Sequence, residues 1–198
     1  MNLPNKITMT RVVLSICTLV LLIMPWYQLG IQFPIFTVAG KIIVDTKYLI
    51  AGVLFLIASV TDFLDGYIAR SENLVTDFGK VMDAIADKIL VNGILIILAY
   101  QGFISILVPI LIITRDTIVD AIKMASGTKG KVVAASNLGK LKTIFMMIGV
   151  TFMLFYNIPF ELLHVPIADI LILVACILSV ISGCQYYFKV KELLFKQK

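Results

Sequence analysis

What most limits the folds open to this chain is a succession of apolar runs, separated by short charged stretches. Several of these runs reach the roughly 20 residues that an α-helix needs to cross the hydrocarbon core of a bilayer. The runs are continuous and lack period-two alternation, which argues for helices over a β-barrel. A mean hydropathy of +1.02 and an apolar fraction of 60% over 198 residues exclude an ordinary soluble domain. The expected fold is therefore an all-α integral membrane bundle with six transmembrane helices, at about 12–29, 48–70, 78–100, 104–125, 137–156 and 166–188. It forms a single domain: a short interfacial segment over 1–11, the bundle over 12–188 and a basic tail over 189–198. No A-x-A-like cleavage site follows the first run, which therefore reads as a retained span. Cys17, Cys176 and Cys184 lie inside apolar runs without metal-ligand spacing and read as reduced packing or lipid-facing thiols.

The net charge of +5 comes from residues placed along the membrane and not grouped as a groove-reading patch, so no nucleic-acid partner is expected. Of 17 lysines and arginines, all but Lys41 and Lys47 flank the termini or the second-to-third and fourth-to-fifth connections. That asymmetry puts both termini in the cytoplasm. Trp26, Tyr27 and Tyr48 are expected in an aromatic belt at one interface, and Tyr186 and Tyr187 at the other.

Against this apolar background stands the run 62–87, DFLDGYIARSENLVTDFGKVMDAIAD. Asp62 and Asp65 are i,i+3 neighbours and Asp83 and Asp87 are i,i+4 neighbours, so each pair shares a helical face. Counted from Tyr48 and Tyr100 at the outer ends of their spans, Asp62 matches Asp87 in depth and Asp65 matches Asp83, roughly 20–26 Å from the outer face. Four carboxylates there repel each other unless a cation intervenes. Oxygen donors of this kind suit two hard divalent ions, Mg²⁺ or Mn²⁺, in a site for phosphoryl chemistry. The competing reading is a set of interhelical salt bridges with Arg70, Lys80 and Lys88. Gly66, Ala69 and Gly79 beside the acids serve either helix contact or the close approach of a ligand.

The run fits D-x2-D-G-x2-A-R-x8-G-x3-D-x3-D at Asp62, Asp65, Gly66, Ala69, Arg70, Gly79, Asp83 and Asp87. This resembles the signature of the CDP-alcohol phosphatidyltransferase family. The resemblance implies six transmembrane helices and a pair of divalent ions used to displace CMP from a CDP-linked lipid by an alcohol. It implies that Asp62, Asp65, Asp83 and Asp87 hold metal, with Asp87 also the base for the incoming hydroxyl. By the same resemblance the CDP-lipid is held by Asp62, Gly66, Ala69, Arg70 and Gly79, with Asn5, Thr8 and Thr76 as further candidates. The resemblance also implies a homodimer, while the charge asymmetry and the depth of the acids put the site at the cytoplasmic face of the inner (cytoplasmic) membrane.

Two stretches bear on the acceptor. Arg115 lies inside the fourth span close to the level of Asp62 and Asp87. An anionic acceptor gives a buried arginine a reason, and a pair with Asp116 or Asp120 gives another. Lys140 and Lys142 open the fifth span, where they either bind that acceptor or anchor the helix to the cytoplasmic face. The pattern Gly139, Lys140, Lys142, Thr143, together with PNKITMTR near the start, resembles the branch of the family that transfers phosphatidyl from CDP-diacylglycerol to sn-glycerol 3-phosphate. Where that branch often has glutamine, this chain has Met146. The rival readings are the same chemistry on inositol phosphate, serine or phosphatidylglycerol, and a cation transporter using intramembrane acids. His164, near Glu161 and Asp169, lies away from the acids and is not expected to take part.

Overall fold

The computed structural model describes residues 3–71, 76–128 and 136–195; at Leu3, Pro4, Asp65, Tyr67, Ala69, Arg70, Asp77, Phe78, Lys80, Thr128 and from Val190 onward it describes the backbone alone. Six helices dominate: α1 Leu3–Ile23, α2 Thr46–Ser71, α3 Asp77–Tyr100, α4 Leu107–Thr128, α5 Asn137–Leu154 and α6 Ile167–Phe195. Four of the expected spans, in α1, α2, α5 and α6, are both long and apolar enough to cross a membrane, so the chain is a multi-pass membrane protein. Helices α3 and α4 have the length, about 36 and 33 Å at 1.5 Å per residue, but carry the charges that keep them out of that group.

Two boundaries differ from the expectation. The stretch read as a separate interfacial segment is, from Leu3 on, continuous with α1, because nothing between Lys6 and Arg11 breaks a helix. The basic tail continues α6 as far as Phe195. An antiparallel hairpin, unforeseen in an all-α fold, fills the connection after α1. Pro25 lacks the N–H to continue the helix, and after a 3-10 turn at Trp26–Leu29 strand β1, Ile35–Val38, pairs with β2, Ile42–Asp45. Ala39 and Gly40 both adopt positive φ, which matches the turn to the twist of the strands.

Helix α1 packs on α2 and α3, α4 and α5 pack on α6, and α2 meets α5. The shared core contains Phe55, Ile94, Leu98, Ile112, Met146, Leu154 and Ile172. Large apolar side chains such as Val20, Val53, Ile96, Leu111, Ile148 and Leu173 face outward on every helix, as lipid requires and water disfavours. At the hairpin end, Tyr48 is not a belt residue: it is buried in a cluster with Phe103 and Tyr156, whose hydroxyl accepts from the Asp45 N–H at 3.0 Å. Tyr186 is likewise buried, 3% exposed, at the opposite end. Both rings turn inward because the gaps between helix ends offer them packing that an interface does not.

Candidate active site

The site is assembled around a polar stripe on α1. Asn5, Thr8, Arg11, Ser15 and Thr18, spaced three and four residues apart, all lie on the buried face of an otherwise apolar helix. Ser15 and Thr18 spend their hydroxyls on the carbonyls of Arg11 and Leu14, one turn back. The Arg11 guanidinium, 2% exposed, forms ion pairs with Asp62 of α2 and Asp83 of α3. Its fork thus gathers two carboxylates from two other helices. The depth match anticipated Asp62 with Asp87 and Asp65 with Asp83; the guanidinium joins Asp62 and Asp83.

Of the salt-bridge partners considered for the acids, Lys88 instead pairs with Asp120 on α4. The side chains of Asp65, Ala69, Arg70 and Lys80 lie outside the described residues. Arg11 entered the sequence argument only as a membrane-flanking charge. The signal that finds it is N-x2-T-x2-R, which puts Asn5, Thr8 and Arg11 on one face.

Next to this cluster, α1 is tied to the start of α3. Thr76 caps α3 by accepting from the Gly79 N–H at 3.0 Å, and its hydroxyl donates to Asn5 Oδ1 at 3.0 Å. A Cβ on Gly79 would stand 2.8 Å from that Asn5 oxygen, so here the missing side chain admits a neighbouring residue. Thr8 is buried on the same face of α1, and Gly66 is half-buried in α2.

Asp87 stands between the acid cluster and a second region. The charges acting on it are Arg11 and Lys142, which attract, and Asp83 and Asp116, which repel. It lines a cavity of about 270 Å³ together with Arg115, Lys140, Lys142 and Thr143. A smaller recess of about 30 Å³ shares Asp87, Asp116 and Lys142 and is walled by Ile112 and Met146. The cavity wall includes five cations (Lys88, Arg115, Lys123, Lys140, Lys142) and three carboxylates (Asp87, Asp116, Asp120), a formal balance of +2. The Ser136 cap, accepting from Gly139 N–H at 3.1 Å, starts α5 there, so its positive end adds to the field.

The structure therefore brings Arg115, Lys140 and Lys142 to one cavity with Asp87, and it gives Arg115 the alternative partner as well. Arg115 Nη1 donates to Asp116 at 2.8 Å, and Lys142 Nζ donates to both Asp116 oxygens at 2.7 Å. Asp120 serves Lys88 and not Arg115. Asp116 is the site residue that the sequence argument treated only as a neighbour of Arg115.

Among the described residues no three His, Cys, Asp or Glu side chains stand together as a group able to hold a metal ion. The donor chemistry nonetheless suits a hard divalent ion. Asp62 and Asp83 already share one cation, and with Asp87 the carboxylates outnumber the single guanidinium among them.

Comparison with known proteins agrees in length and in kind. The family model for CDP-alcohol phosphatidyltransferases matches residues 1–181. The chain is 40% identical over 195 residues to the CDP-diacylglycerol–glycerol-3-phosphate 3-phosphatidyltransferase of Bacillus subtilis, covering 98% of this chain and 97% of that one. It is 31% identical to the Rickettsia bellii enzyme of the same name, with 96% of each covered. To the Mycoplasma genitalium enzyme of that name it is 38% identical, over 78% of this chain and 65% of the other.

Proposed function

The chain belongs to the CDP-alcohol phosphatidyltransferase family, and on that premise we propose that it transfers the phosphatidyl group of CDP-diacylglycerol to the hydroxyl of sn-glycerol 3-phosphate, giving phosphatidylglycerophosphate and CMP. The observation that carries the acceptor assignment is the cavity joining Asp87 to Arg115, Lys140 and Lys142. An alcohol bearing a phosphate fits there with its anionic end on the cations and its hydroxyl toward the carboxylate. The names and coverage of the relatives support the same reading.

Asp87 takes the proton of the acceptor hydroxyl as its oxygen bonds to the lipid-bearing phosphorus, and the bond from that phosphorus to CMP breaks. Asp62, Asp65, Asp83 and Asp87 would hold two divalent ions, Mg²⁺ or Mn²⁺, whose chemistry is to neutralise the pyrophosphate charge. Gly66, Ala69, Arg70 and Gly79, with Asn5, Thr8 and Thr76, form the side that receives the CDP-lipid.

Outward-facing apolar residues on α3 and α4 as well as on the other four helices support six crossings. The distribution of lysine and arginine supports cytoplasmic termini and a site at the cytoplasmic face of the inner membrane. The family resemblance implies a homodimer, which cross-linking in intact membranes tests. The deciding assay is CMP release by the purified protein from CDP-diacylglycerol with glycerol 3-phosphate, serine, inositol phosphate or phosphatidylglycerol, with and without chelator. Release with glycerol 3-phosphate alone, lost on chelation and restored by Mg²⁺ or Mn²⁺, is the expected result. Release only with another acceptor overturns the acceptor assignment, and cation uptake into sealed vesicles without CMP release overturns the enzyme.

A further inference from the structure

Arg115 and Lys142 come from different helices, yet their charged groups meet at a single side chain. Asp116 Oδ1 accepts from Arg115 Nη1 at 2.8 Å and from Lys142 Nζ at 2.7 Å. The two nitrogens can therefore be no further apart than the combined length of those bonds, 5.5 Å. With side chains only 14% and 10% exposed, two cations that close repel strongly unless a carboxylate stands between them. The rest of Arg115 is held by α6: Nε donates to the Ser179 carbonyl at 3.0 Å and Nη2 to Ser182 Oγ at 2.7 Å. Its stem crosses α6 at Gly183, where a Cβ would stand 2.9 Å from Arg115 Cγ.

Among the described residues these bonds leave donors unused. Arg115 spends three of its five N–H groups and Lys142 two of its three, and both residues line the cavity that reaches Asp87. A carboxylate placed merely to neutralise the pair needs no such opening. The formal balance of +2 around the cavity offsets the negative charge, about −2, of a fully ionised phosphate monoester.

We propose that Asp116 is a positioning residue for the acceptor: it holds Arg115 and Lys142 side by side so that their remaining donors receive the phosphate of a phosphorylated alcohol, and so selects that class over an uncharged alcohol. This rests on the functional reading above. Asp116→Asn keeps the size of the side chain but turns one acceptor into a donor facing the Lys142 ammonium, so the lysine leaves its place.

The test uses the full-length purified protein and reads binding as well as turnover. Calorimetric titration with glycerol 3-phosphate and with glycerol is expected to give weak or no glycerol binding by either protein. Asp116→Asn should bind glycerol 3-phosphate at least about tenfold more weakly than the wild type. In turnover the loss falls on KM for glycerol 3-phosphate, while KM for CDP-diacylglycerol stays within about twofold. Asp116→Glu, which keeps the carboxylate, recovers most of the affinity. In a Lys142→Met background, Asp116→Asn adds less than it costs alone, because one of the two cations it positions is gone and the other, Arg115, keeps its bonds to Ser179 and Ser182.

Equal binding of glycerol 3-phosphate by wild type and Asp116→Asn overturns the proposal and leaves the functional reading intact. Full additivity with Lys142→Met, or an equal loss for CDP-diacylglycerol, also overturns it. Tight binding of glycerol 3-phosphate without CMP release overturns the functional reading and leaves the role of Asp116 standing.

Discussion

Arg11 and Asp83 are ion-paired across 72 residues of sequence, joining α1 to α3 at a guanidinium that also meets Asp62 of α2. One buried cation thus holds three helices at the acidic centre. It gives α1 a function beyond crossing the membrane, since the helix delivers a counter-charge to acids carried by two other helices.

Arg11→Gln leaves the two carboxylates facing each other without that charge. Breaking a buried pair costs about 3–5 kcal/mol, and the partial exposure of both carboxylates brings the expected loss nearer to about 1–3 kcal/mol. Thermal unfolding in detergent with chelator present measures it. Added Mg²⁺ should narrow the gap, and Arg11→Lys, which keeps the charge but not the fork, should lose less.

Asp87→Asn removes the proposed base without changing its volume. CMP release should fall by about 10²–10⁴-fold with little change in KM for CDP-diacylglycerol. Removing a carboxylate from a cluster in which acids outnumber the neighbouring guanidinium should not lower the unfolding midpoint. Wild-type turnover with metal present would end the assignment of Asp87 as base.

Gly79→Ala places a methyl group 2.8 Å from Asn5 Oδ1 and 3.0 Å from Thr76 Oγ1. The Asn5–Thr76 bond and the cap of α3 must then give way together, at a cost of about 1–2 kcal/mol. Thr76→Ala loses the same cap without the clash and should cost about 1 kcal/mol. Unfolding midpoints of the two variants, compared with KM for CDP-diacylglycerol, separate the stabilising role from substrate contact.

Gly183→Ala crowds the Arg115 stem at Cγ, which unlike the far end of the side chain has little room to move. The displaced guanidinium should raise KM for glycerol 3-phosphate by about tenfold and leave KM for CDP-diacylglycerol unchanged. An unchanged acceptor KM would show that Arg115 reaches its place without the notch in α6.

The membrane class, the helical content and the family follow from local properties of the chain. Apolar length identifies spans, and the three- and four-residue spacing of Asp62, Asp65, Asp83 and Asp87 defines helical faces before any packing is known. The continuity of residues 3–11 with α1 was open to the same reasoning, because the spacing of Asn5, Thr8 and Arg11 is itself helical. Which charge neutralises which is a different matter. That Arg11 and not Lys88 meets Asp62 and Asp83, that Lys88 goes to Asp120, and that Asp116 gathers Arg115 with Lys142 all depend on how α1, α4, α5 and α6 pack. Spacing along one helix assigns a side chain to a face; only the tertiary structure supplies the face opposite, and Coulomb attraction at short range then selects the partner.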